Sequence, residues 1–164
     1  MRNKGRTALA LLAAVALMPM TATAAGWEEV RQKLQTGASF TTADGQTSVT
    51  KQADGSCVIS GGIFPEIVSL NENSAPSDGT LELHIQNVTF QQSLSLDANT
   101  AGRGLDVTLD ANTSTRKLSV SAANGGHISV TNAGRVTGQA PNEGLISNIM
   151  GEGSYGEVTN AQGG

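Results

Sequence analysis

The chain has 164 residues, with one Cys, five aromatic residues, ten basic and fourteen acidic side chains. A single cysteine, Cys57, excludes an intramolecular disulfide, so packing and backbone hydrogen bonds must hold the fold. All fourteen acidic residues but only seven of the basic ones follow residue 24, which leaves that portion at −7 and excludes a basic surface for nucleic acid or anionic membrane.

Arg2, Lys4 and Arg6 precede an apolar run from Ala8 to Met20, which closes on the small residues Ala22-Thr23-Ala24-Ala25. That order is the pattern of a cleavable signal peptide, residues 1–24, with cleavage expected near Ala24. The run is shorter than the ~20 apolar residues that span a bilayer, Pro19 interrupts it, and no later segment has membrane length. The expectation is an exported chain, secreted or held at the cell surface, without a transmembrane segment after cleavage.

Residues 25–37 carry the one helical pattern of that mature portion. Trp27, Val30 and Leu34 share a face, Glu28 and Glu29 suit the positive end of the helix dipole, and Glu29 and Lys33 stand i, i+4 apart. Gly37 is placed to stop the helix. So short a helix is marginal alone, so its apolar face must dock on the segment that follows.

From residue 38 to 138 the pattern is short strands between Gly, Asn, Asp and Ser turns. Asp44-Gly45 and Asp54-Gly55 are tight-turn or hairpin signals. Leu81, Leu83 and Ile85 alternate with Glu82, His84 and Gln86, the signature of a half-buried strand. Residues 96–108, LDANTAGRGLDVT, and 109–121, LDANTSTRKLSVS, repeat at a period of 13, and a degenerate third copy spans 122–135. Such repeats indicate stacked units, each covering an apolar face its neighbour cannot bury alone. Asn99, Asn112 and Asn124, with Gly102, Gly104, Gly125 and Gly126, are the expected corner residues. Residues 139–164 read as a flexible Gly/Asn-rich tail or as a continuation of the repeats.

Two all-β architectures fit. In a parallel β-helix, two 13-residue units make about one coil and the helix caps the first rung; in a β-sandwich, successive strands pair antiparallel. The internal repeat, the scarce aromatics and the terminal helix favour the solenoid. Leu96 and Leu109 are then equivalent core positions, and Trp27, Val30, Leu34 and Gly37 belong to the cap.

The WEEVRQKLQTG segment (Trp27, Val30, Leu34, Gly37), followed by short strands with Gly61-Gly62-x-Phe64 behind a signal peptide, resembles secreted bacterial proteins of the pectate-lyase-like right-handed β-helix class. The resemblance spans residues 25–138 and implies a right-handed coil and a surface or adhesin-type role.

Chemistry is sparse. Asp97, Asp106 and Asp110 are the one carboxylate set that could converge on an outer face for calcium or acidic sugar, with Arg103 or Arg116 as the nearby base; the alternative is that they stand outward on solvated strands and turns. His84 and His127 are distant from each other in sequence and lack metal-ligand spacing. Cys57, beside Val58 and Ile59, reads as a buried inert thiol. No nucleotide fingerprint or nucleophile elbow occurs, so no cofactor is expected. The expectation is an exported, non-catalytic structural or adhesive module meeting an extracellular glycan or protein. Its rivals are a polysaccharide lyase or hydrolase on the same scaffold and a carbohydrate-binding sandwich.

Overall fold

The structure, a computed structural model, describes residues 26–76, 79–138 and 143–161. The expected signal segment therefore lies outside the described residues. One helix, α1 (Trp27–Thr36), precedes the strands β1 (Phe40–Thr41), β2 (Ser48–Lys51), β3 (Cys57–Ser60), β4 (Ile63–Phe64), β5 (Val68–Asn71), β6 (Thr80–Gln86) and β7 (Thr89–Ala98). The remainder are β8 (Gly104–Leu109), β9 (Ser114–Ala122), β10 (His127–Asn132), β11 (Arg135–Val136), β12 (Gly144–Ile149) and β13 (Tyr155–Asn160).

From β3 onward the strands stack in parallel as a β-solenoid of about four turns. Each coil runs through a strand of a seven-stranded sheet (order β1-β2-β3-β6-β8-β10-β13), turns a corner, and returns through a second sheet built on β4 and β5, β7, β9, β11 and β12. Leu81 stacks on Leu105, Leu105 on Ile128 and Ile128 on Gly156, at spacings of 24, 23 and 28 residues. On the facing sheet Leu70 stacks on Leu96 and Leu96 on Val120, at 26 and 24 residues. Two 13-residue units therefore do make one coil. From β3 to β10 the alternating inward Leu, Ile and Val of both sheets are buried, each such side chain worth about 1.5–3 kcal/mol. The sandwich alternative fails because β7 and β8 belong to different sheets and do not pair.

Among the described residues, antiparallel pairing is confined to the first three strands. The two Asp-Gly signals form their turns: Asp44 accepts from the Gln46 amide at 3.0 Å and Asp54 from the Ser56 amide at 3.0 Å. The chain thus enters the coil through a meander lying on the first edge. Gly61 and Gly62, both with positive φ, pass directly under residues 46 and 47 of that meander; a β-carbon on either would collide with the Gln46 carbonyl or the Thr47 hydroxyl.

The helix caps the coil as its pattern requires. Trp27, Val30 and Leu34 are buried, and the Trp27 ring meets Phe64 edge-on at 5.3 Å and Phe90 at 6.3 Å. Phe64 and Phe90 are register partners on successive rungs and stack at 5.8 Å. Gly37 adopts the left-handed conformation and its amide donates to the Leu34 carbonyl at 3.0 Å, ending the helix. The expected Glu29–Lys33 pair does not form. Glu28 pairs with Arg31 at 2.7 Å instead, and Glu29 accepts from the Ala43 amide at 3.2 Å, tying the helix to the meander.

The corners differ in detail from expectation. Asn99 and Asn112 do not take left-handed backbone; Asn87 and Asn124 do, with Gly102 and Gly125. Asn99 and Asn112 offer their amides to carboxylates instead, Asn99 to Glu72 at 3.1 Å and Asn112 to Asp110 at 3.2 Å. Gly104 is a strand residue beneath the Thr80 side chain, and Gly126 passes against the Ala98 carbonyl.

Residues 144–149 and 155–160 continue the coil rather than forming a flexible tail: β12 pairs with β9 and β13 with β10 in parallel register. Among the described residues no strand covers this rung, so its inward Leu145 and Ile149 stay 40% and 38% exposed.

Candidate functional site

The solenoid presents two outer faces of different chemistry. Outward positions of the second sheet form a serine column, Ser69, Ser95 and Ser119, beside Asn71, Asp97, Ser121 and Asn148. Asp97 is satisfied within this face: Ser95 donates to it at 3.1 Å, as does the Ser121 hydroxyl. It therefore ties two rungs together.

The seven-stranded sheet carries a mixed array of carboxylate, imidazole, hydroxyl and phenol groups. Parallel register places Glu82, Asp106, Ser129 and Glu157 in one column, and His84, Thr108, Thr131 and Thr159 in the next. A third column holds Thr80, Gly104, His127 and Tyr155. Successive members are about 4.8 Å apart, the spacing of paired strands. The period of two sends Leu and Val inward and leaves this array outside.

His84 Nε2 lies 3.2 Å from Glu82 Oε1. Burial, and secondly the neighbouring Glu82 carboxylate, push Asp106 above the usual carboxylate range, with His84 pulling the other way. Two rungs on, the Tyr155 hydroxyl donates to Glu157 at 2.6 Å, and this bond raises the phenol above its ordinary range. The His127 ring meets Tyr155 edge-on at 6.3 Å. Between these rings and Thr80 runs a groove of about 230 Å³, floored at Gly104 and lined also by Asp106 and Ser129.

The carboxylates singled out in the sequence do not converge. Asp106 stands on the seven-stranded sheet, Asp97 on the opposite sheet, and Asp110 at the corner between them. The reason is geometric: a 13-residue period is half a coil, so equivalent repeat positions fall on opposite sides. Asp110 accepts from the Asn87 amide at 3.0 Å and the Thr113 hydroxyl at 2.7 Å, locking one rung to the next. Burial pushes its carboxyl up, but these bonds and the Asn112 and Thr113 amides hold it below the usual range.

The guanidinium groups are engaged elsewhere. Arg103 donates to the Glu72 carbonyl at 2.9 Å and to Asn73, and Arg116 pairs with Glu143. Cys57 is buried, and burial raises its thiol despite Lys51 nearby. Among the described residues, no group of three or more His, Cys, Asp or Glu is arranged to hold a metal ion, and no helix is long and apolar enough to cross a membrane.

The His127–Tyr155 pair went unrecognised in the sequence. Its members are 28 residues apart across an irregular corner, and only the register of β10 with β13 joins them. No family model, curated protein or solved structure matches the chain.

Proposed function

We propose that this chain is an exported, non-catalytic surface module that presents the outer face of its seven-stranded sheet to an extracellular glycan or protein. The observation that carries the reading is that face: three in-register columns of hydroxyl, carboxylate, imidazole and phenol groups, fixed by a continuous ladder of parallel strands. A surface held by backbone hydrogen bonds loses little entropy when it meets a partner. The lyase reading also loses its three-carboxylate set, because Asp97, Asp106 and Asp110 are spread over two faces and a corner. The signal pattern of residues 1–24 supports export, and the pectate-lyase-like resemblance suggests a surface role.

A hydrolytic reading on the same scaffold draws on one pair. Glu82 and Asp106 are register partners, and burial together with the Glu82 carboxylate pushes Asp106 upward, the direction a general acid needs. One experiment separates the two. The purified mature protein is incubated with polygalacturonate and a panel of neutral polysaccharides, and reducing ends or unsaturated products are followed. The module reading expects retention on a glycan or cell surface without turnover. Turnover abolished by Asp106→Asn, Asp97→Asn or Asp110→Asn would replace it with an enzyme. Export is checked by fractionation and N-terminal sequencing, which should find a mature start at Ala25; full-length chain retained in the cytoplasm would refute it.

A further inference from the structure

Resting on the surface-module reading, we propose that the groove between Thr80 and the His127–Tyr155 pair binds one neutral pyranose ring of a glycan, stacked against Tyr155. Thr80, Gly104, Asp106, His127, Ser129 and Tyr155 line it.

Size comes first. At about 230 Å³ the groove is smaller than the cavities that take drug-sized ligands, which start at roughly 300 Å³, and suits a single ring of a chain that continues outside it. Shape follows from Gly104. A β-carbon there would press on the Thr80 side chain, so glycine keeps the floor low between Thr80 on one rung and His127 on the next.

The wall is aromatic and preorganised. Tyr155 is 53% exposed, yet its hydroxyl is pinned by Glu157 at 2.6 Å and its ring is braced by His127 at 6.3 Å. An exposed, rigid aromatic ring offers amphipathic contact area at low entropic cost. The axial C–H face of a pyranose is the apolar surface that matches it. Equatorial hydroxyls then meet Asp106 as an acceptor and Ser129 and Thr80 as donors or acceptors.

Charge selects the sugar. Among the described residues no Lys or Arg lines the groove, and Glu82, Asp106 and Glu157 share one column of the face. Uronic or sialic acids would meet like charge there, whereas a neutral ring would not. A shallow, one-ring site gives weak affinity per contact, so strength would come from several modules on one glycan.

The test uses the mature, isotope-labelled protein and methyl glycosides and disaccharides of glucose, galactose, mannose and N-acetylglucosamine, with galacturonate and a simple amine as comparators. The expected result is millimolar binding of at least one neutral glycoside, with amide shifts clustered on Thr80, Gly104, His127 and Tyr155. Tyr155→Ala should weaken it by about tenfold or more. Tyr155→Phe should keep binding within a few-fold, since the ring remains. Spectra of the variants away from the groove report whether each has folded, and Gly104→Ser, which obstructs the floor while leaving Tyr155 in place, must also weaken binding.

Preference for galacturonate or the amine, shifts centred on the serine face, or no response to any neutral glycoside at high millimolar concentration would each overturn the proposal. Surface retention of wild type and Tyr155→Ala is measured in parallel. Equal retention of both removes the groove and leaves the module reading standing; no retention of wild type removes the module reading itself.

Discussion

Trp27→Ala tests whether the helix closes the first rung. The side chain is 5% exposed and packs edge-on against two stacked phenylalanines at 5.3 and 6.3 Å. Truncating a buried aromatic costs roughly 3–5 kcal/mol. One term reduces the loss: among the described residues the buried indole Nε1 has no acceptor, a penalty of about 1–3 kcal/mol that disappears with the ring. The two together place the expected cost at about 2 kcal/mol. For a chain of this size that lowers Tm by roughly 4–8 °C. Trp27→Phe keeps an aromatic edge against Phe64 and sheds the orphan donor, so it should cost less than about 1.5 kcal/mol. The assay is urea unfolding of the mature chain followed by far-ultraviolet circular dichroism. A loss below about 1 kcal/mol for Trp27→Ala, or helix signal lost while the coil keeps its midpoint, would refute the plug.

Three further outcomes follow from the geometry. Gly126→Ala places a β-carbon on the Ala98 carbonyl and should cost more than about 2 kcal/mol, while Gly79→Ala, with open space around it, should be neutral within about 0.5 kcal/mol; equal effects in denaturant melts would contradict the stacked corners. Asp110 has a depressed carboxyl in the folded state, so its contribution is present above the unfolded pKa and lost as pH falls through the folded one; the stability gap between wild type and Asp110→Ala should be constant above about pH 5 and shrink below it, as pH falls through the unfolded value of about 3.9 and on toward the lower folded one, and a gap that stays constant down to about pH 2 would refute the rung-to-rung role. Cys57 is buried with its thiol pushed up, so a disulfide reagent should label it at least about a hundredfold more slowly in the native protein than in urea; comparable rates would place it at an accessible surface.

Much of the scaffold was legible in one dimension. Leu81, Leu83 and Ile85 declare a strand with one wet face because a strand's side chains alternate. Trp27, Val30, Leu34 and Gly37 declare a short helix, its buried face and its stop because helical geometry is local. The 13-residue repeat announced stacking and, doubled, the length of a coil.

Other features depend on which rungs meet. Asp97, Asp106 and Asp110 could converge on one face as far as their order in the chain goes, but half a coil separates the sides of Asp97 and Asp110. The two Asp-Gly turns are the local mark of the antiparallel start; the strands themselves do not distinguish it from the parallel body, since the same alternating residues serve both pairings. His127 and Tyr155 are brought together by a 28-residue coil among coils of 23 and 24, an irregularity that erases any periodic signal. Amino-acid order alone determined the alternation, the cap and the half-coil unit, because those follow from backbone geometry over a few residues. Tertiary structure decided which side chains share a face, because that depends on the length of every corner between them.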